Sequence, residues 1–227
     1  MIKINNSFKT VAILIFFTIS TFTNVSALEL KKLPKIGELK KLSLIGGSSD
    51  SGINLNDAKT NFTKIFFESA LNYMEAQFHL FNALEMNDEA NKTRKSIDFV
   101  KDDKKKEGKR LTNAFDTVSD NSAAIEGALT KEAANSTEAK AHYAKALPFA
   151  VKGLLGTVQL PPEAKNLLDT IKADKMAALK LGSFIKVLPK IPEYVKSATT
   201  VGKLITSGAK SRDVKGAKDA NKALGDL

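Results

Sequence analysis

The sequence predicts an all-α protein, a helical bundle of about four to six helices with a flexible leader and a basic C-terminal tail. Three observations carry that expectation. No stretch of the 227 residues alternates apolar and polar side chains between hairpin turns, so strands are not indicated. The 30 residues that follow Asn56 contain neither Gly nor Pro, so nothing in them interrupts a helix. Beyond Asn135 the apolar residues recur at three- and four-residue intervals, with Gly and Pro at the joints.

Residues 1–27 read as a secretory signal. Lys3 and Lys9 make a charged start, Val11 to Phe17 an apolar run, and Val25-Ser26-Ala27 a small-residue cleavage site before Leu28. The run is shorter than the roughly 20 apolar residues that a bilayer needs, and lysines interrupt every later one, so no transmembrane span is expected in the mature chain. Residues 28–55 read as a basic leader with Lys-Lys-Leu at 31–33 and 40–42, closed by the Gly/Ser joint Gly46 to Gly52.

The bundle domain is expected over residues 56–207. Asn56 is a candidate cap, and the helix after it, running to Met86, is about 45 Å long. At 100° per residue, Lys64, Glu68, Asn72, Glu75, His79 and Asn82 gather on one narrow stripe, and Phe62, Ile65, Phe66, Phe67, Leu71, Tyr73, Met74, Phe78, Leu80, Phe81 and Leu84 fill a wide apolar arc. An arc that wide has neighbours on several sides, which makes this the central helix. Gln77 falls inside the arc and should be hydrogen-bonded there.

Ile97, Val100, Leu111, Ala114, Phe115 and Val118 keep a helical spacing across the charged run Lys101 to Arg110, with a slip near Gly108. One long solvent-facing helix is expected, supported by pairs such as Asp102 with Lys106, then a short helix around Asn121 to Leu129. Asn135 with Glu138 resembles a capping box that opens a helix kinked at Pro148 and ended by Gly153 and Gly156. Pro161-Pro162 starts another, with Leu167, Leu168, Ile171, Met176, Leu179 and Leu181 on its apolar face. Pro189 and Pro192 mark a corner before a last helix bearing Tyr194, Val195, Val201, Leu204 and Ile205. Residues 208–227 read as a basic, partly ordered tail.

Chemistry is narrowed by what the chain lacks. With no Cys there is no disulfide, thiolate zinc site, iron–sulfur cluster or thiol nucleophile. His79 and His142 each follow a Glu by four residues, Glu75 and Glu138, but a metal site needs further ligands, so both are expected to be solvated or capping. Gly202 to Ser211 departs from the phosphate-loop spacing, and Gly47 to Gly52 from that of a nucleophile elbow. No catalytic, cofactor-binding or metal-ligating residue is singled out.

Charge points instead to binding. Removing residues 1–27 takes two lysines and no acids, leaving 33 basic and 25 acidic groups, and residues 160–227 alone hold 13 against 7. The candidate contacts are Lys172, Lys175, Lys180, Lys186, Lys190, Lys196 and Lys203, spaced to face an acidic protein, a cell-wall polymer or an anionic lipid surface. Nucleic acid is disfavoured, because acids interleave with bases in Lys101 to Arg110 and no aromatic lies within that run. Export without cysteine fits a bacterial envelope, periplasmic or extracellular. The expected function is a non-enzymatic helical binding or structural protein of that envelope. The competing expectation is a membrane-active or lipid-binding protein that uses its cationic amphipathic C-terminal helices.

Overall fold

A computed structural model describes residues 54–128, 136–173 and 175–225, with backbone alone at 175, 177, 178 and 223–225. The expected signal, leader and Gly/Ser joint before Asn54 lie outside the described residues, as do Leu129 to Asn135. Among the described residues the secondary structure is helical with no strand, and six helices have fourteen residues or more.

Helix α1, Leu55–Ala83, starts earlier than expected: Asn54, not Asn56, is the cap, and its side-chain oxygen accepts the Asp57 N–H at 3.0 Å. It stops at Ala83 because Glu85 turns into the left-handed region (φ 59), letting Met86 N–H donate to Phe81 O at 2.8 Å and Glu85 N–H to Asn82 O at 3.2 Å. Those two bonds satisfy carbonyls that the end of a helix leaves bare.

The long charged helix is instead two, α2 (Asn87–Lys101) and α3 (Glu107–Ala128), which pack on each other and on α1. The slip in spacing near Gly108 therefore marks a corner. It is tied by Arg110, whose Nε–H donates to Val100 O at 2.7 Å while its guanidinium lies 2.8 Å from Asp103 and over the Phe67 ring. Asp102 pairs with Lys105 at 3.8 Å. The short helix expected around Asn121 is the end of α3. A straight helix of the expected length would carry Leu111, Phe115 and Val118 away from α1; folding back buries all three.

Helix α4, Thr137–Thr157, is capped by Ser136, whose Oγ accepts the Ala139 N–H at 3.0 Å. It runs unbroken through Pro148, and Gly153 and Gly156 lie within it. Pro161 and Pro162 occupy the first turn of α5, Leu160–Ala173. Two short helices follow, α6 (Lys175–Lys180) and α7 (Gly182–Val187), and a 3₁₀ turn at Leu188–Lys190 makes the expected corner into α8, Ile191–Ser211. The tail is more ordered than expected: after Asp213 (φ 49) and Gly216 (φ 86) reverse the chain, α9, Ala217–Gly225, packs on α8 and α4 and buries Ala217 and Ala220.

The central position of α1 is confirmed, with α2, α3, α4 and α5 all packed on it. Phe62, Phe66, Tyr73, Met74, Leu80 and Phe81 are fully buried. Rings continue outward from it: Phe62 lies 5.7 Å from Phe66, Phe66 5.6 Å from Tyr194 of α8, and Tyr194 5.7 Å from Phe115 of α3. Gln77 is bonded as expected, donating to Val118 O at 3.1 Å and Ser122 Oγ at 3.2 Å, while Asn121 Nδ2 donates to both Gln77 Oε1 and Thr93 Oγ1. One buried polar knot thus sets the relative positions of α1, α2 and α3.

Glycines set how closely α4 and α8 approach. A Cβ at Gly153 would stand 2.5 Å from the Tyr73 ring and 3.2 Å from the Tyr73 backbone nitrogen. At Gly202 it would run into Leu154 Cδ1 of α4. The contact is sealed by Ser69 Oγ, which donates to Gly153 O at 2.9 Å and shares a 2.7 Å hydrogen bond with Thr157 Oγ1. The Tyr73 hydroxyl donates to the Ala198 carbonyl.

Candidate functional site

Helix α8 buries Ile191, Tyr194, Ala198, Val201, Ile205 and Ala209 on one side. At 100° per residue the opposite side carries Lys196, Lys203 and Lys210, seven residues apart and within about 40° of one line. With 1.5 Å of rise per residue the three ammonium groups are spread along about 21 Å. All three residues are exposed, and among the described residues no carboxylate pairs with them. The only acid in the helix is Glu193, in its first turn, where it suits the positive end of the dipole.

The remaining expected contacts are not on that stripe. Lys172 ends α5 and lies 3.9 Å from Asp169. Lys175 and Lys180 bound α6, Lys186 lies in α7, and Lys190 places its ammonium 5.8 Å from the centre of the Phe115 ring. Lys172, Lys180, Lys186 and Lys190 are exposed. The structure therefore divides the expected set into a stripe on α8, extended by Lys210, and a basic corner running from α5 to the 3₁₀ turn.

That corner holds the residues that periodicity misplaced. Leu167 and Ile171 are buried as expected, but Met176 is 60% and Leu179 78% exposed. Leu167 and Ile171 face the core, whereas Met176 and Leu179, in Lys175–Lys180, face solvent. Three residues apart, Met176 and Leu179 share one face of α6, which packs on its chain neighbours α5 and α7. Spacing alone reports an apolar face but not whether anything covers it.

The histidines are half-buried and pack against rings rather than capping a helix. The His79 ring on α1 packs 6.0 Å from His142 and 6.0 Å from Phe149, both on α4, and 5.1 Å from Phe78. Burial, then the neighbouring His142 and Lys145, push the His79 pKa down to about 4, against an opposing pull from Glu75. Burial and Lys145 likewise lower that of His142. The pair is thus neutral at neutral pH and contributes as aromatic packing. Beside it Arg94 grips Glu75 through two bonds of 3.1 Å, stacks on Phe78, and shares Glu75 with Lys101 at 3.0 Å. Burial alone would raise the Glu75 pKa; the hydrogen bonds from Lys101 and Arg94 outweigh it and hold the carboxyl below its ordinary value.

Among the described residues no group of three or more potential metal ligands converges, and no helix is long and apolar enough to cross a membrane. An open cleft of about 390 Å³ between α3 and α7 is lined by Phe99, Lys109, Asn113, Asp116 and Ser183. Comparison with protein-family models, with characterised proteins and with solved structures finds no significant match to this chain.

Proposed function

We propose that this chain is a non-enzymatic helical binding protein of the bacterial cell envelope, exported by the segment at residues 1–27, which engages an acidic partner through its cationic C-terminal third. The observation that carries the reading is the stripe of Lys196, Lys203 and Lys210 on α8, exposed along about 21 Å without a neutralising carboxylate among the described residues. Unpaired cations in a row attract a linear or planar array of negative charge, because their fields add beyond a single contact and are not cancelled locally. The buried polar groups Ser69, Tyr73, Gln77 and Thr157 are engaged in helix-to-helix hydrogen bonds, which supports a scaffold role for the interior. The test is retention on an immobilised polyanion. The triple variant Lys196→Glu, Lys203→Glu, Lys210→Glu should elute at distinctly lower salt than the parent while melting at the same temperature, since all three side chains stand in solvent. Equal elution of the two proteins would remove the stripe from the binding surface.

A further inference from the structure

We infer that α6 is a lipid-inserting knuckle: Met176 and Leu179 enter the headgroup region of an anionic bilayer while the lysines around them hold its phosphates. This rests on the anion-binding reading of the C-terminal third and narrows the partner to a membrane surface. Three observations on α6 converge on it. Met176 and Leu179 are large apolar side chains, 60% and 78% exposed, on the same face of a helix that packs on α5 and α7, its neighbours in the chain. From Lys172 to Lys190 the sequence holds five lysines and one acid, Asp174. Of those lysines, Lys172, Lys180, Lys186 and Lys190 are exposed, on both sides of the apolar pair in the chain.

The exposed apolar side chains decide between a bilayer and an acidic protein. An acidic protein surface would neutralise the lysines yet leave Leu179 facing water or polar groups. A leaflet containing anionic lipid offers both environments at the right depths, phosphates outside and acyl chains just beneath. Long lysine stems can reach the phosphates while the shorter apolar side chains sink below them. The depth required is that of an interfacial segment, not of a span. Electrostatic attraction would bring the protein to the surface in a salt-dependent way, and insertion would then add a component that salt does not screen.

The absence of tryptophan makes the inference directly readable, because Leu179→Trp introduces a sole indole into the full chain. Mixed with phosphatidylcholine vesicles containing phosphatidylglycerol, this variant should show a blue-shifted emission that is quenched by brominated acyl chains. It should show neither change with phosphatidylcholine alone or with soluble polyglutamate. A parallel variant, Val158→Trp, placed after α4 and outside the corner, should bind the same vesicles with unshifted emission. Leu179→Ser should weaken partitioning into the anionic vesicles about tenfold at high salt, with the melting temperature retained because that side chain is mostly in water. Vesicle binding with unshifted emission from Leu179→Trp overturns the inference and shows that another segment carries the attachment. A complete lack of vesicle binding also overturns it, but retention on a polyanion would then still uphold the broader proposal. The same blue shift with polyglutamate would transfer the site to an acidic protein.

Discussion

Replacing Gly153 by alanine probes the close approach of α1 and α4, and replacing Gly127 supplies a matched reference. Both glycines lie in helices, where exchange for alanine removes the excess backbone freedom of the unfolded chain and is worth about 0.5–1 kcal/mol of stability. A Cβ at Gly127 meets nothing within 4 Å, so Gly127→Ala should realise that gain and raise Tm by about 2–3 °C. At Gly153 the same methyl would stand 2.5 Å from Tyr73 Cδ2 and 3.2 Å from the Tyr73 backbone nitrogen. The ring cannot swing away, since Tyr73 is fully buried and its hydroxyl donates to Ala198 O, and the nitrogen belongs to α1 itself. Helices α1 and α4 must part, which also stretches the 2.9 Å bond from Ser69 Oγ to Gly153 O. Overpacking of this kind costs about 2–3 kcal/mol. Set against the backbone gain, it leaves Gly153→Ala about 1–2 kcal/mol less stable than the parent, with Tm lowered by about 3–6 °C. Differential scanning calorimetry of the three proteins reads the two shifts. If Gly153→Ala melted at or above the parent temperature, the contact of α1 with α4 would not be limited by the missing side chain, and the packing account would be refuted.

Other expectations follow from the same geometry. Phe66→Ala should cost about 3–5 kcal/mol in urea unfolding, and Leu71→Ala clearly less, because Phe66 is fully buried and Leu71 only partly; equal losses would contradict the burial pattern. Asn54→Ala should cost about 1 kcal/mol while Asn56→Ala is nearly silent, since Asn54 makes the cap bond; the reverse order by thermal melting would restore Asn56 as the cap. Gln77→Leu should lose about 1–3 kcal/mol, because it removes the hydrogen bonds that Gln77 donates to Val118 O and Ser122 Oγ and accepts from Asn121 Nδ2; a neutral result would mean the buried knot is not shared among three helices. Acid should weaken the fold through His79. Its folded pKa of about 4 lies below the unfolded value of 6.5, so the unfolded chain binds the extra proton between these values and stability falls as pH drops through that window. The full shift would correspond to about 3 kcal/mol, reduced to about 1–2 kcal/mol because solvent reaches part of the ring. In urea titrations at pH 7 and about pH 4.5, His79→Phe should lose less stability than the parent; parallel losses would exclude the histidine as a source.

How far the fold could be read in advance depended on the range of the forces involved. The all-helical class, the central Phe-rich helix and the burial of Gln77 follow from periodicity and from the lack of Gly and Pro after Asn56, both of which act within a few residues along the chain. The corner at Asp102 to Lys106 was legible only as a slip in spacing. Gly153 and Gly156, which resemble helix stops, sit inside α4 because Tyr73 and Ser69 of α1 occupy the space their side chains would need, a fact about another helix. The histidines mislead for the same reason. The place of His79 on a polar stripe suggests solvent, whereas α4 brings Phe149 and His142 against it.

The candidate surface divides along the same line. The lysine excess of residues 160–227 and the seven-residue spacing of Lys196, Lys203 and Lys210 are properties of the chain. The exposure of Leu179 is not, since an apolar residue at helical spacing has the same local pattern whether or not another helix covers it. Composition and short-range pattern determine which helices form and which faces are apolar, because backbone hydrogen bonds and side-chain direction are settled within one turn. Which apolar faces meet, how closely they approach and which one is left in water is decided by the competition of all helices for one core, and that emerges only in three dimensions.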